Sequence, residues 1–319
     1  MSDQLYANGR IAVLSNKLLT ADKFVRLAEC SYVSEALKVL SECGYQANDA
    51  TADNDYLAVL TAETDATIQQ FKELCYDKHA VSYFLCKYAY HNAKVLMKRK
   101  YMRVDGTEGC FNSVGTIPDV LQKAFVNDDY SVCSKNMAEA CDKIDTAFSE
   151  GNRSPQIIDK FLDKAMFDDM HANAKRSSIS LVKKLFDWTV DTTNLMLIYR
   201  LKKAAQEISQ FDEWYIPYGT VKKEQLYKLW QDEKALEDLK DQRKKFAALC
   251  TFDKSNLMEA EAYNKAYRNQ LVDDCADSLT IQPAIKYFFN KTDEIDKVRR
   301  IIISIKNGVD SEKIKNLIK

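Results

Sequence analysis

Eight glycines and four prolines in 319 residues leave this chain with almost no punctuation. A β-sandwich or barrel needs a turn about every ten residues, and glycine and proline supply most of them. That architecture is excluded, and long helices joined by few loops remain. Apolar residues make up 46% of the chain, enough to bury a sizeable core. The length predicts two or three compact units.

Apolar spacing agrees with the helical reading. "DKFVRLAECSYVSEALKVL" places Phe24, Leu27, Val33, Leu37 and Leu40 near one stripe, with charges opposite. "EQLYKLWQDEKALEDLKDQRKKFAAL" repeats the pattern through Leu226, Leu229, Trp230, Leu236 and Leu239. Three breaks interrupt the helices: "DGTEGCFNSVGTIPD" from Asp105, "SEGNRSPQ" from Ser149, and "FDEWYIPYGT" from Phe211. Pro155 fits the first turn of the helix that follows the second break. The first and third breaks divide the chain into near thirds.

The thirds resemble one another. Align Asn92, Asn194 and Glu294, which stand roughly 101 residues apart. Apolar residues then coincide nine and six positions before the anchor, as Tyr83, Leu185 and Ile285 and as Cys86, Trp188 and Phe288. They coincide again one and four positions after it, as Ala93, Leu195 and Ile295 and as Leu96, Ile198 and Val298. These columns trace one helical stripe. Lys98, Arg200 and Arg300 form a basic column off it. A second pairing, of Phe24, Leu27 and Leu37 with Leu226, Leu229 and Leu239, gives about twice that shift. The expectation is three similar all-helical domains, 1–105, 106–212 and 213–319.

Composition narrows the function classes. Lys plus Arg number 46 against 47 Asp plus Glu, for a net charge of −1, so the basic footprint of a nucleic-acid binder is missing. "MSDQLYANGR" has no signal-peptide core, and no apolar run approaches the roughly 18 residues of a spanning helix. A soluble protein is expected. The nine cysteines are odd in number and contain no CxxC, which predicts reduced thiols used as small apolar groups.

One motif invites a catalytic reading. "LVDDCADSL" holds Asp273, Asp274 and Asp277 as DDxxD, the spacing with which helical prenyl-transferring enzymes gather Mg²⁺ around a diphosphate. Such enzymes need a second metal site. The best candidate, "NDDYSVCSK", puts Lys135 where an acid must stand and precedes the first motif. A solvated helix face is the expectation. His79, His91 and His171 share no metal-binding spacing, and neither GxxxxGK[ST], GxGxxG nor GxSxG occurs. No catalytic site, metal or cofactor is expected. The basic run "KVLMKRKYMR", with Lys94, Lys98, Arg99, Lys100 and Arg103, suits a helix C-terminus, or contact with an acidic partner.

The residues also carry a family resemblance. In "AIKYFFNKTDEIDKVRRIIISIKNGVDSEKIKNLI", Tyr287, Glu294, Ile295, Arg299, Arg300, Lys306 and Gly308 occupy the pattern of the C-terminal segment of the C subunit of V/A-type rotary ATPases, whose vacuolar-type equivalent is the d subunit. "VDTTNLMLIYR" is similar to the family's middle copy through Asp191, Asn194, Leu195 and Arg200, and "YANGRIAVLSNKLLTADKFVRLAECSYVSEALKVL" is similar to its opening helices. Lys98 departs from the usual Arg of the first copy. The resemblance implies three related helical domains about a pseudo-threefold axis, forming a funnel. It implies a non-catalytic rotor connector on the cytoplasmic side, joining central-stalk subunits to the proteolipid ring for H⁺ or Na⁺ transport. Membrane contact would be only through the ring. Partner contact is expected at Asn92, Lys98, Asn194, Arg200, Glu294 and Arg300. The alternative is a free-standing helical-repeat scaffold.

Overall fold

The computed structural model describes residues 2–47, 55–102, 118–232, 234–235, 239, 257–274 and 280–318. Among these, all regular structure is helical, as the scarcity of glycine and proline requires. The helices are α1 (Ser2–Ser15), α2 (Ala21–Ala28), α3 (Val33–Glu42), α4 (Asp55–Leu74), α5 (Lys78–Met102), α6 (Pro118–Val126), α7 (Lys135–Ser149), α8 (Pro155–Arg176), α9 (Ser180–Lys203), α10 (Ser209–Trp214), α11 (Lys223–Gln231), α12 (Leu257–Asp274), α13 (Gln282–Lys306) and α14 (Ser311–Ile318). Pro155 and Pro283 sit in the first turns of α8 and α13, where no intrahelical donor is lost. Gly308, at φ +68°, takes the left-handed turn that ends α13 and frees the chain for α14.

Helix order recurs along the chain. A helix of about 20 residues precedes a longer one three times: α4 then α5, α8 then α9, α12 then α13. The long members span 25, 24 and 25 residues. Their packing follows a cyclic rule. Helix α5 lies on α8, α9 lies on α12, and α13 returns to lie on α4 and on the short helices α2 and α3. Each long helix therefore packs against the group that comes next, and the last packs against the first.

Among the described residues three hydrophobic cores result, and none coincides with a contiguous third of the sequence. One joins Leu27, Leu37, Leu40 and Leu60 to Val298, Ile301 and Ile302 on the far half of α13, all at zero exposure. A second gathers Leu195, Ile198 and Tyr199 of α9 with Phe211, Leu226, Leu229 and Leu239. The largest holds most of α5, α7 and α8 and the first halves of α9 and α13. Within it the long helices meet through aromatic rings: Phe84 lies 6.1 Å from Phe288, and Tyr83 lies 6.2 Å from Phe186. Edge and tilted contacts of this kind add about 1 kcal/mol each beyond area burial. The long helices thus share a core at their N-terminal halves, while α9 and α13 enter separate cores at their C-terminal halves.

Six cysteines fall among the described residues; all are free thiols, and Cys75, Cys86 and Cys141 are buried. Burial pushes the Cys75 thiol up to about 12, so it is an inert apolar filler. Cys110, Cys250 and Cys275 lie outside the described residues. Among those described, no helix is long and apolar enough to cross a membrane.

Candidate functional site

The three anchors of the internal alignment are all buried, at 0%, 1% and 4% exposure for Asn92, Asn194 and Glu294. Two of them grip the segment that enters the next group of helices. The Asn194 carboxamide donates to the Ile216 carbonyl at 2.8 Å, and its oxygen accepts from the Ile216 amide at 3.0 Å. One turn earlier, Asp191 accepts from the Val221 amide at 2.9 Å and from the Thr220 hydroxyl. Gly219 is required here, because a Cβ would run into Asp191 and come within 3.2 Å of Val190.

Glu294 does the same for the start of the chain. Its carboxylate accepts from the Leu19 amide at 2.6 Å, the Tyr45 hydroxyl at 2.7 Å and Lys291 at 2.6 Å. Lys291 also reaches Glu63 at 2.7 Å and lies over the Tyr45 ring. Leu19 and Val221 each stand two residues before a short helix, α2 or α11, so a buried carboxylate of a long helix catches equivalent amides. Asn92 is equally enclosed; the stretch before Pro118, where its counterpart partner would fall, is outside the described residues.

A further staple ties the long helices together at their N-terminal ends. Asp77 accepts from the His79 and Ala80 amides, capping α5, and from the Ser177 and Ser178 hydroxyls and the Ser178 amide before α9. Burial pushes its carboxyl up, but these donors outweigh burial and hold it at about 2.

Where α5, α9 and α13 converge, a recess of about 190 Å³ opens, lined by Tyr83, Phe84, Lys87, Met170, Leu185, Thr189, Arg268, Phe288 and Phe289. Arg268 of α12 stacks 4.2 Å from the Phe289 ring and bonds Asp293 at 2.7 Å, where Lys265 also ends at 3.0 Å. Lys87 keeps contact with solvent, yet surrounding protein strips much of its hydration and lowers its pKa, against the pull of Asp296 and Asp293. Small-molecule sites usually need about 300 Å³ or more. This mouth is sized for protein side chains.

The basic column is peripheral. Lys98 bonds Asp159 of α8 at 2.9 Å, and Arg200 and Arg300 are exposed. In the basic run, Lys94 pairs with Asp163 at 2.6 Å, and Lys100 pairs with Asp128 and Asp145 at 2.6 and 2.8 Å. Much of that positive charge is therefore met inside the chain; Arg103 lies outside the described residues.

The described part of the acidic motif holds one ion pair. Asp273 is half exposed and pairs with Lys286 at 2.6 Å, Asp274 is exposed at the end of α12, and Asp277 lies outside the described residues. Among described residues, no group of three His, Cys, Asp or Glu side chains could hold a metal ion. His79 meets Asn173 at 3.4 Å, and His171 stacks on Tyr218 at 4.2 Å, both as packing groups.

Sequence reasoning found the anchors but not Lys291, Glu63, Tyr45 or Asp77. A lysine three residues before Glu294, on the apolar face of α13, was the signal for the first. Asp77, three residues before Ala80 at the head of a helical run, had the pattern of an N-cap.

Comparison with known proteins gives this arrangement a family. The chain is 25% identical to the C subunit of the A-type ATP synthase of Desulfurococcus sp., an alignment that covers 98% of this chain and 89% of that protein. It is 21% identical to the corresponding A-type ATP synthase C subunit of Methanococcoides burtonii, covering 99% and 94%. Residues 7–317 match the family of ATP synthase (C/AC39) subunits as a whole, and the chain belongs to that family.

Proposed function

We propose that this chain is a non-catalytic rotor connector, a collar that joins the central-stalk subunits of an A/V-type ATPase to its membrane ring. The observation that carries the reading is cyclic closure: the last long helix, α13, packs on α2, α3 and α4, so the chain returns to its start. A body passing torque between two partners must deform less than its interfaces, and close-packed helical cores have that stiffness. Residues 1–105, 106–212 and 213–319 are, in this reading, copies of one module. Each lends the far half of its long helix to the next, which makes a funnel about a pseudo-threefold axis.

The six aligned polar positions divide the work. Asn92, Asn194 and Glu294 hold the modules in register from inside, whereas Lys98, Arg200 and Arg300 face outward for contact with partner surfaces. The charged mouth around Lys87 and Arg268 accepts the stalk's foot. ATP hydrolysis or synthesis belongs to other subunits, and the connector sits at the cytoplasmic face without a spanning helix of its own. An open helical-repeat scaffold leaves its two ends apart, and the packing of α13 on α2–α4 weighs against it.

Affinity purification of the tagged full chain from native membranes tests the reading. Recovery of a proteolipid and of nucleotide-binding subunits in fixed ratio is expected. Recovery of neither from gently solubilised membranes overturns it.

A further inference from the structure

Charge is unevenly matched in the recess where α5, α9 and α13 converge beside α12. Two cations line it, Lys87 and Arg268, and no carboxylate does. Arg268 is already committed: its guanidinium reaches Asp293 at 2.7 Å and the Asn269 side-chain oxygen at 2.9 Å, and it stacks on Phe289. Asp293 is shared in turn, since Lys265 ends on it at 3.0 Å. Lys87 differs. Among the described residues no carboxylate comes within ion-pairing distance of its ammonium, which lies 4.7 Å from the Tyr88 ring. Asp296 and Asp293 attract it from farther off, and Arg268 repels it. Arg299, which acts on Tyr88, adds a further cation to this face, and Asp187, which acts on Tyr83, a further acid.

An ammonium that packing has partly dehydrated, and that holds no counter-ion, gains more from a new anionic partner than a fully hydrated one does. Met170, Leu185, Phe288 and Phe289 give the recess apolar walls, which keep water from a pair formed there and so strengthen it. At about 190 Å³ the space admits one protein side chain. A phosphate asks for several donors at once, and Arg268 is engaged elsewhere. A single carboxylate matches the one ammonium on offer.

We propose that Lys87 pairs with an aspartate or glutamate side chain of the stalk subunit whose foot enters this mouth. The inference rests on the rotor-connector reading and adds the chemistry of the contact. The complex recovered through the tagged full chain is treated with a water-soluble carbodiimide, which joins a lysine amine directly to a carboxylate in contact with it. Mass spectrometry then identifies the linked peptides. A link from Lys87 to an acidic residue of a stalk subunit is expected. Lys87 is exposed and has no ion-pair partner among the described residues, so substituting it should leave the fold intact. Lys87→Glu is expected to lower recovery of that subunit at least about tenfold, and Lys87→Arg to keep it. In a complex that contains the stalk, Lys87 left unlinked, or linked only to Asp293 or Asp296, overturns the pairing while the connector reading stands. Undiminished recovery with Lys87→Glu does the same. Recovery of neither stalk nor ring subunits overturns both.

Discussion

Lys291 lies between two carboxylates, Glu63 and Glu294, with 9% of its side chain exposed. Removing the cation leaves the buried Glu294 and the half-buried Glu63 both charged with no cation between them, whereas neutralising Glu294 leaves an acceptor for the Leu19 amide and the Tyr45 hydroxyl. Lys291→Met should therefore cost about 3–5 kcal/mol, and Glu294→Gln less; urea unfolding of the two variants measures the difference. Asp77 makes a pH-dependent contribution. Its folded pKa is depressed to about 2, so its stabilisation is fully present above the unfolded value of about 3.9 and is lost as pH falls through 2. Between about pH 4 and 2 the wild type should lose on the order of 2 kcal/mol that Asp77→Asn does not lose. Thermal melts across that window read the slope; parallel curves would mean the carboxylate is not held as described.

At the scale of helices, α13 serves two cores, and a cavity in its far half should be felt by α2, α3 and α4 at the other end of the sequence, a link that chain order alone would not make. Ile302→Ala, at a fully buried position, is expected to cost about 2–4 kcal/mol. Hydrogen exchange should show α2, α3 and α4 losing protection with α13 while α11 keeps its own; loss confined to α13 would contradict the seam. Much of this was legible in the sequence. Residue spacing located the helices, Pro155 marked the start of α8, and the aligned anchors sit about 40° round the helix from the apolar column four places on, hence on the buried face. From the sequence they were expected to contact partners, and their burial was not drawn from that position. What was not legible was the partner of each face. Periodicity says that Val298 and Ile302 are buried but not that Leu37 and Leu60 cover them, because packing across the seam leaves no local signal. The acidic motif misleads for the opposite reason: local spacing fits a metal site, but the structure gives Asp273 a lysine partner and, among the described residues, no companion ligands.

As a whole, the molecule is nearly neutral, with some of its ion pairs half-buried at α7 and α8 and one buried across the seam between α13 and α4. That balance suits a body held by shaped surfaces more than by long-range attraction. The packing of α13 on α2, α3 and α4 and the membership in the ATP synthase (C/AC39) subunit family are the two findings on which the proposed collar rests. Electron cryomicroscopy of the complex recovered through the tagged chain tests the two together. The account predicts one copy, three-lobed and closed, centred on the rotation axis between the membrane ring and the stalk. A chain found at the periphery of the complex, or with α13 separated from α2–α4, would contradict it.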